Sequence, residues 1–497
     1  MGVFSSKPVQ PVAIPSDTVV ELGPTGDTRI LRPMVIDFTL CFDEVLDPKR
    51  LRGSLEALFN HGNWRKLGAR LRLNVRTYFE MAWVDRGRLE YHFPAKFDGE
   101  RPAFSYTHVE MSCNIKEYPL ASQIPKATPV PTLQPDCAMF RSLSRDSHSP
   151  KRLEDWLISD IPQLYIHIVS LSDATMVAMT AMHTFLDANA RVELVKAWVM
   201  SLNGRLNEVP EIYGFDFDPL EKLGKMATEE SVLERHRTTD FGLFWWLAKL
   251  IIQSLFWKQT IRTICISPAA LKKLKSQALT EVQALDSKAF LSDGDIISAW
   301  WTKYATLHLA KSKDRTVTIV NAFSMRPLLE KPYPNPDSTP LLPEGKPCLA
   351  LSSDAIYTLI RAHEILAKPL SHTALSTRAQ VEAMAAMLRS SKVPLVYGGS
   401  KSSMLVLSNR SKAKFYDVFD FSGAVVKVDE HLSKPIERIG RPAFIYALSI
   451  ISGLSVRDNA VFEGPDGMGN LWLTATMDEE NWAGVQEAIH REWEDAK

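Results

Sequence analysis

Apolar residues along the chain recur with two periods, and the points where one gives way to the other mark its elements. Residues 164–171 (LYIHIVSL) read as a short β-strand, Ser172-Asp173-Ala174-Thr175 supplies turn chemistry, and 176–182 (MVAMTAM) reads as the returning strand. A period of two puts Val177, Met179, Ala181 and His183 on one face. Beyond Asp187 the period lengthens. Val192, Val195, Trp198, Val199 and Leu202 fall at helical spacing, and Asp187 or Asn189 can cap that helix by accepting a hydrogen bond from a free backbone N–H. His183 is therefore expected where a strand ends and a helix begins, a junction that can hold a polar side chain rigidly and leave it open to a channel.

The longest apolar run is Phe241 to Trp257, interrupted by Lys249, Gln253 and Ser254. As a helix it would measure roughly 26 Å, short of the ~30 Å hydrocarbon core. Two readings stay open: a helix buried between domains, or one lying on a membrane or lining a greasy substrate entrance. After it come a strand-like RTICIS and a helix from about Pro268. Prolines 125, 129, 131 and 135 mark an extended connection, and Lys331 to Pro347 form a second proline-rich loop. A charged, irregular stretch near 205–240 divides the chain into 1–215 and 241–497, with a crossover linker at 216–240. Strands and helices alternate without a Gly-rich dinucleotide turn, so mixed α/β layers are expected.

Composition narrows the class. The 497 residues are 45% hydrophobic and 23% charged, and 58 Lys plus Arg cancel 58 Asp plus Glu. No global basic field is available for a nucleic-acid backbone. The five cysteines are far apart and lack zinc spacing, which argues against a stapled secreted domain and against a thiolate metal site. The first 30 residues hold no secretory apolar region, so a cytoplasmic protein is expected. Met1-Gly2-Val3-Phe4-Ser5-Ser6 fits an N-myristoylation pattern, although an untied tail explains it as simply. A neutral surface and two internally packed halves suggest a monomer.

His183-Thr184-Phe185-Leu186-Asp187 is H-x-x-x-D. Taken alone, the pentapeptide is also satisfied by a core histidine and a capping aspartate. Further segments follow in order: Ser292-Asp293-Gly294-Asp295 leading to Ala299-Trp300, Val320 to Arg326, Ser408-Asn409-Arg410, Asp420-Phe421-Ser422-Gly423-Ala424, and Asp466 to Leu473 before a Trp-containing helix. Together they resemble the BAHD acyltransferase superfamily, in particular its fungal, trichothecene acetyltransferase-like members of secondary metabolism. The resemblance covers roughly residues 30 to 495. It departs at Ser422 and Ala424, which replace a glycine and a tryptophan, and at Ala188 and Ala190, where many relatives carry glycine. Ala190 would be strained if that position needed positive φ.

The resemblance implies two chloramphenicol-acetyltransferase-like α/β domains with a channel between them, the first carrying H-x-x-x-D and the second the DFGWG-like segment. It implies acyl transfer, of acetyl, from acyl-CoA as co-substrate to a hydroxyl of a hydrophobic natural product, with no metal and no permanently bound cofactor. His183 would be the general base, since a neutral imidazole is suited to accept a hydroxyl proton near pH 7. Asp187 would point away and pair with Arg326, while Asp420 and Gly423 would support the site structurally. A carrier-protein-dependent condensation catalyst is one alternative, weakened because Met182 stands where such enzymes have a second histidine. A repurposed member that binds or cyclises a metabolite is another. His167, His363, His372 and His431 lack a partner pattern and read as packing or surface residues. Residues 241–257 remain a candidate for weak contact with a membrane surface.

Overall fold

Thr175–Met182 lies in the middle of a five-stranded sheet, and all eight of its residues are buried. It forms an antiparallel hairpin with Tyr165–Ser170, pairing Ser170 with Thr175 and Tyr165 with Thr180. Met34–Phe42 pairs along its other edge, Val35 opposite Met182. Ser105–Glu110 adds parallel to Tyr165–Ser170, and Phe444–Ile451 closes the opposite edge beside Met34–Phe42. Burial on both faces explains why the central strand reads as a continuous apolar run rather than an alternating one. The computed structural model describes residues 9–23, 26–28, 30–74, 87–309, 315–348, 353–361, 377–391, 395–429, 434–452 and 457–494, with 323 and 353–361 by backbone alone.

A second, seven-stranded mixed sheet runs in the order Ser353–Arg361, Thr316–Ser324, Ser403–Asn409, Asn459–Glu463, Leu471–Asp478, Gln259–Ile266 and Thr132–Gln134. Helices Pro268–Gln283, Asp293–Ala305 and Glu479–Glu494 cover it, and Trp300, Trp301, Trp482 and Trp493 fill their core. Ser292 begins the middle helix with a capping box. Its hydroxyl accepts from Asp295 N–H while the Asp295 carboxylate accepts from Ser292 N–H.

The sheets exchange strands. Thr132–Gln134, from the first half of the sequence, joins the second sheet, and Phe444–Ile451, from the second half, joins the first. Phe415, Tyr416, Phe419 and Phe421 also pack into the first core. The mixed α/β architecture is thus two sheet-and-helix units tied by crossing chain.

Two expectations change. The apolar run forms the helix Asp240–Phe256, but it is not buried between the units: only Leu243, Trp246 and Leu250 are buried. Among the described residues no helix is long and apolar enough to cross a membrane. Ala190 lies inside the helix Ala188–Leu202 and carries no positive φ, so its Cβ brings no strain there.

Candidate active site

The strand Thr175–Met182 delivers His183 to the seam between the two units. His183 N–H donates to the Met34 carbonyl at 2.8 Å, extending the ladder one residue past the strand. The turn that follows is held by Tyr91, whose hydroxyl donates to the Thr184 carbonyl at 3.0 Å and whose ring meets Phe185 edge-on. Asp187 then caps the helix Ala188–Leu202, accepting from Ala190 N–H at 2.7 Å. His183 is half-buried, whereas Thr184, Phe185, Leu186 and Asp187 are buried. A cavity of about 60 Å³ lies beside this turn, lined by Lys66, Tyr91, Thr184, Phe185 and Asp218 among others.

Asp187 meets Arg326 across the seam. Both terminal nitrogens of Arg326 donate to the carboxylate, at 2.9 and 3.0 Å, and one also donates to the Cys348 carbonyl at 3.2 Å. Burial alone would raise the Asp187 pKa. The charge and hydrogen bonds of Arg326, with the Ala190 N–H, outweigh it and hold the carboxyl below the usual range. Asp187 is at once the helix cap and the ion-pair partner.

The electrostatics of His183 come from five contributions. Burial lowers its pKa first, Arg191 second and Arg410 further, while its own backbone carbonyl and Asp187 raise it; the result is about 4. The ring is therefore neutral at ordinary pH. Its Nδ1 finds no hydrogen-bond partner in another of the described residues.

The sequence pattern does not single out Arg191 or Glu463, and it marks Arg410 only as part of the Ser408-Asn409-Arg410 motif. Arg191 stacks over the Phe38 ring at 4.9 Å and is buried, and its Nε and Nη2 have no hydrogen-bond partner among the described residues. Arg410, at the end of its strand in the second sheet, donates to Glu463 at 2.7 Å. Burial and the neighbouring Arg410 lower Arg191 to about 10, so it stays a cation at neutral pH. The one available signal was a charged residue on the apolar face of a helix, four positions past Asp187.

Asp420 and Gly423 lie elsewhere. Asp420 accepts from Arg441 at 3.0 Å and from Ser422 N–H at 3.1 Å. Gly423 packs against Asn203, beyond the C-terminal end of the helix that Asp187 begins. Fifteen residues of helix separate that end from His183, about 22 Å. His167 is buried with Nδ1 2.7 Å from the Thr107 hydroxyl, a packing role. His363, His372 and His431 lie outside the described residues.

No family model matches the chain. Over its whole length, however, it is similar to the acetyltransferase adrJ of Penicillium roqueforti, 33% identical with 99% of each chain covered. The chain belongs to the BAHD acyltransferase superfamily. A second relative of this BAHD acyltransferase, 30% identical with 99% of each chain covered, is named transcriptional regulator calD of Penicillium decumbens. Among solved structures, F. sporotrichioides TRI101 complexed with coenzyme A and T-2 matches with a TM-score of 0.61 at 14% identity, covering 94% of this chain and 97% of that one. Vinorine synthase matches with a TM-score of 0.52 at 12% identity, covering 96% and 94%. These structures share the two-domain fold of the BAHD acyltransferase.

Proposed function

We propose that this acyltransferase moves an acetyl group from coenzyme A to a hydroxyl of a hydrophobic natural product, with His183 as the general base. Nε2 of the neutral ring takes the hydroxyl proton as the oxygen bonds to the thioester carbonyl. When the tetrahedral intermediate collapses, the C–S bond breaks and the imidazolium returns the proton to the thiolate, releasing free coenzyme A. No covalent enzyme intermediate is needed, so both substrates sit together in a channel along the seam. General-base assistance contributes about 10²–10⁴-fold, and holding the two substrates together contributes more. The observation that carries the reading is a half-buried imidazole at the end of the strand Thr175–Met182, kept neutral by burial and by the charges of Arg191 and Arg410.

In this reading Asp187 and Arg326 hold the turn in shape, and Asp420 and Gly423 support the far end of the helix. The domains are 1–215 and 241–497 joined by 216–240, with the two crossing strands exchanged between them. The protein works as a cytoplasmic monomer that touches a membrane surface through 241–257. The acetyl group and coenzyme A are suggested by the names of adrJ and of the TRI101 complex.

The test is to incubate the purified chain with acetyl-CoA and a thiol reagent, with and without candidate alcohols. Coenzyme A released only with an acceptor supports transfer. A second reading, a non-acylating member that binds a metabolite, draws on the relative named a transcriptional regulator. It predicts acceptor binding without any release of coenzyme A.

A further inference from the structure

The helix Asp240–Phe256 is patterned the wrong way round for a water-facing surface. Phe241, Phe244, Trp245, Ile251, Ile252, Leu255 and Phe256 are all exposed, Phe241 at 76%, Leu255 at 74% and Phe256 at 75%. At 3.6 residues per turn they form one stripe, roughly 140° wide, with no charged side chain in it. Its two long polar side chains turn to the protein instead: Lys249 and Gln253 line a recess with Ser402, Arg457 and Asp458. Using ordinary side-chain areas, the stripe exposes on the order of 900 Å² of apolar surface. The largest patch on a typical monomer is about 300–600 Å².

Two kinds of surface could cover such a stripe, a second copy of the chain or a lipid layer. A protein interface carries about one hydrogen bond per 100–200 Å², so this area would call for several polar groups on the contact face. The stripe offers none. The hydroxyl of Ser254, at its border, is already spent on the Leu250 carbonyl at 2.8 Å. The ends of the helix carry both signs of charge side by side, Arg237 with Glu234 at 3.3 Å before it and Lys258 with Glu479 at 3.4 Å after it. That rim complements a zwitterionic headgroup layer rather than an anionic one. Aromatic rings at both ends suit the boundary between headgroup and acyl chain.

We infer that Asp240–Phe256 is an in-plane membrane-docking helix that inserts its Phe241–Phe256 stripe into a zwitterionic lipid surface. About 25 Å long, the helix lies parallel to the bilayer, with its apolar side roughly 5–10 Å deep. The inference specifies the membrane contact in the functional reading above and does not depend on acyl transfer.

The full chain is mixed with phosphatidylcholine vesicles, at low and high salt, and floated through a density gradient, with size-exclusion chromatography of the lipid-free protein alongside. The expected result is flotation at both salt concentrations. The triple variant F244Q/L255Q/F256Q, changed only at exposed positions, should lose at least about tenfold in vesicle-bound fraction while keeping its folded circular dichroism spectrum. The inference is overturned if the unmodified chain stays unbound to vesicles. It is equally overturned if the chain runs as a dimer that the triple variant converts to monomer, since a second copy then covers the stripe. Flotation without coenzyme A release in the transfer assay would leave the docking intact and remove the catalytic reading.

Discussion

Arg326 grips Asp187 with both terminal nitrogens, joining the start of a helix in one unit to the short helix Arg326–Leu329 that follows the strand Thr316–Ser324 in the other. A bidentate pair of this kind fixes angle as well as distance. Asp187 is buried, so removing Arg326 strands a carboxylate in a poorly solvated seam. Arg326→Ala should lower stability by about 3–5 kcal/mol, read as a fall in thermal unfolding midpoint, and should lower activity with it. Loss of activity at unchanged stability would make the pair a direct participant in the reaction.

Much of this site was legible in the sequence because its parts are local. The hairpin, the turn and the capped helix follow from a change of period around His183. What could not be read is tertiary. Arg191 and Glu463 are 272 positions apart, and their charges act on one another only because the fold brings the helix Ala188–Leu202 near the end of the strand Asn459–Glu463. The exchange of Phe444–Ile451 into the first sheet leaves no periodic trace, since a buried strand looks alike in either sheet. Residues 241–257 show the limit most clearly. Hydrophobicity forecast a helix and its length, but an apolar stripe facing a core and one facing outward have the same sequence.

His183→Ala removes the proposed base without removing a structural hydrogen bond, because among the described residues the side-chain Nδ1 bonds to no other residue and the backbone N–H to Met34 remains. Turnover should fall by about 10²-fold or more, measured as acceptor-dependent release of coenzyme A. The near-ultraviolet circular dichroism should stay unchanged. Undiminished turnover would exclude His183 as the base.

Gly423 tests the far end of the same helix. A Cβ there would stand 2.5 Å from the Asn203 Oδ1, while Asn203 donates to the Val199 carbonyl at 2.9 Å. Gly423→Ala should displace that side chain and cost about 0.5–1.5 kcal/mol, one hydrogen bond's worth. Turnover of the folded protein should not change, because the site lies a whole helix away. A thermal melt paired with kcat at a temperature well below the transition separates the two effects.

Burial acts first on the acid side of the pH profile, and Arg191 is the charge that acts on it most. Folded, His183 binds its proton near pH 4; unfolded, near 6.5. Across that window the unfolded chain carries one more proton at this residue, so this contribution to stability rises with pH and is lost on acidification from 6.5 toward 4. The Asp187 carboxyl, held below its usual range, adds a loss of the same sign at lower pH. For activity, the acid limb of kcat/KM reports the base in the free enzyme and should lie near 4. Besides burial and the residue's own backbone, the groups acting on the ring are Arg191 and Arg410, which lower its pKa, and Asp187, which raises it; Arg410 is paired with Glu463, whereas two of the Arg191 nitrogens have no partner among the described residues. Arg191→Met keeps most of the volume over Phe38 and removes the less compensated of the two cations, so the limb should move upward toward 6.5. Arg191→Lys, which keeps the charge, should hold the limb closer to the original. A purely structural arginine would change the height of the profile and leave the limb in place, and that result would refute an electrostatic role for Arg191.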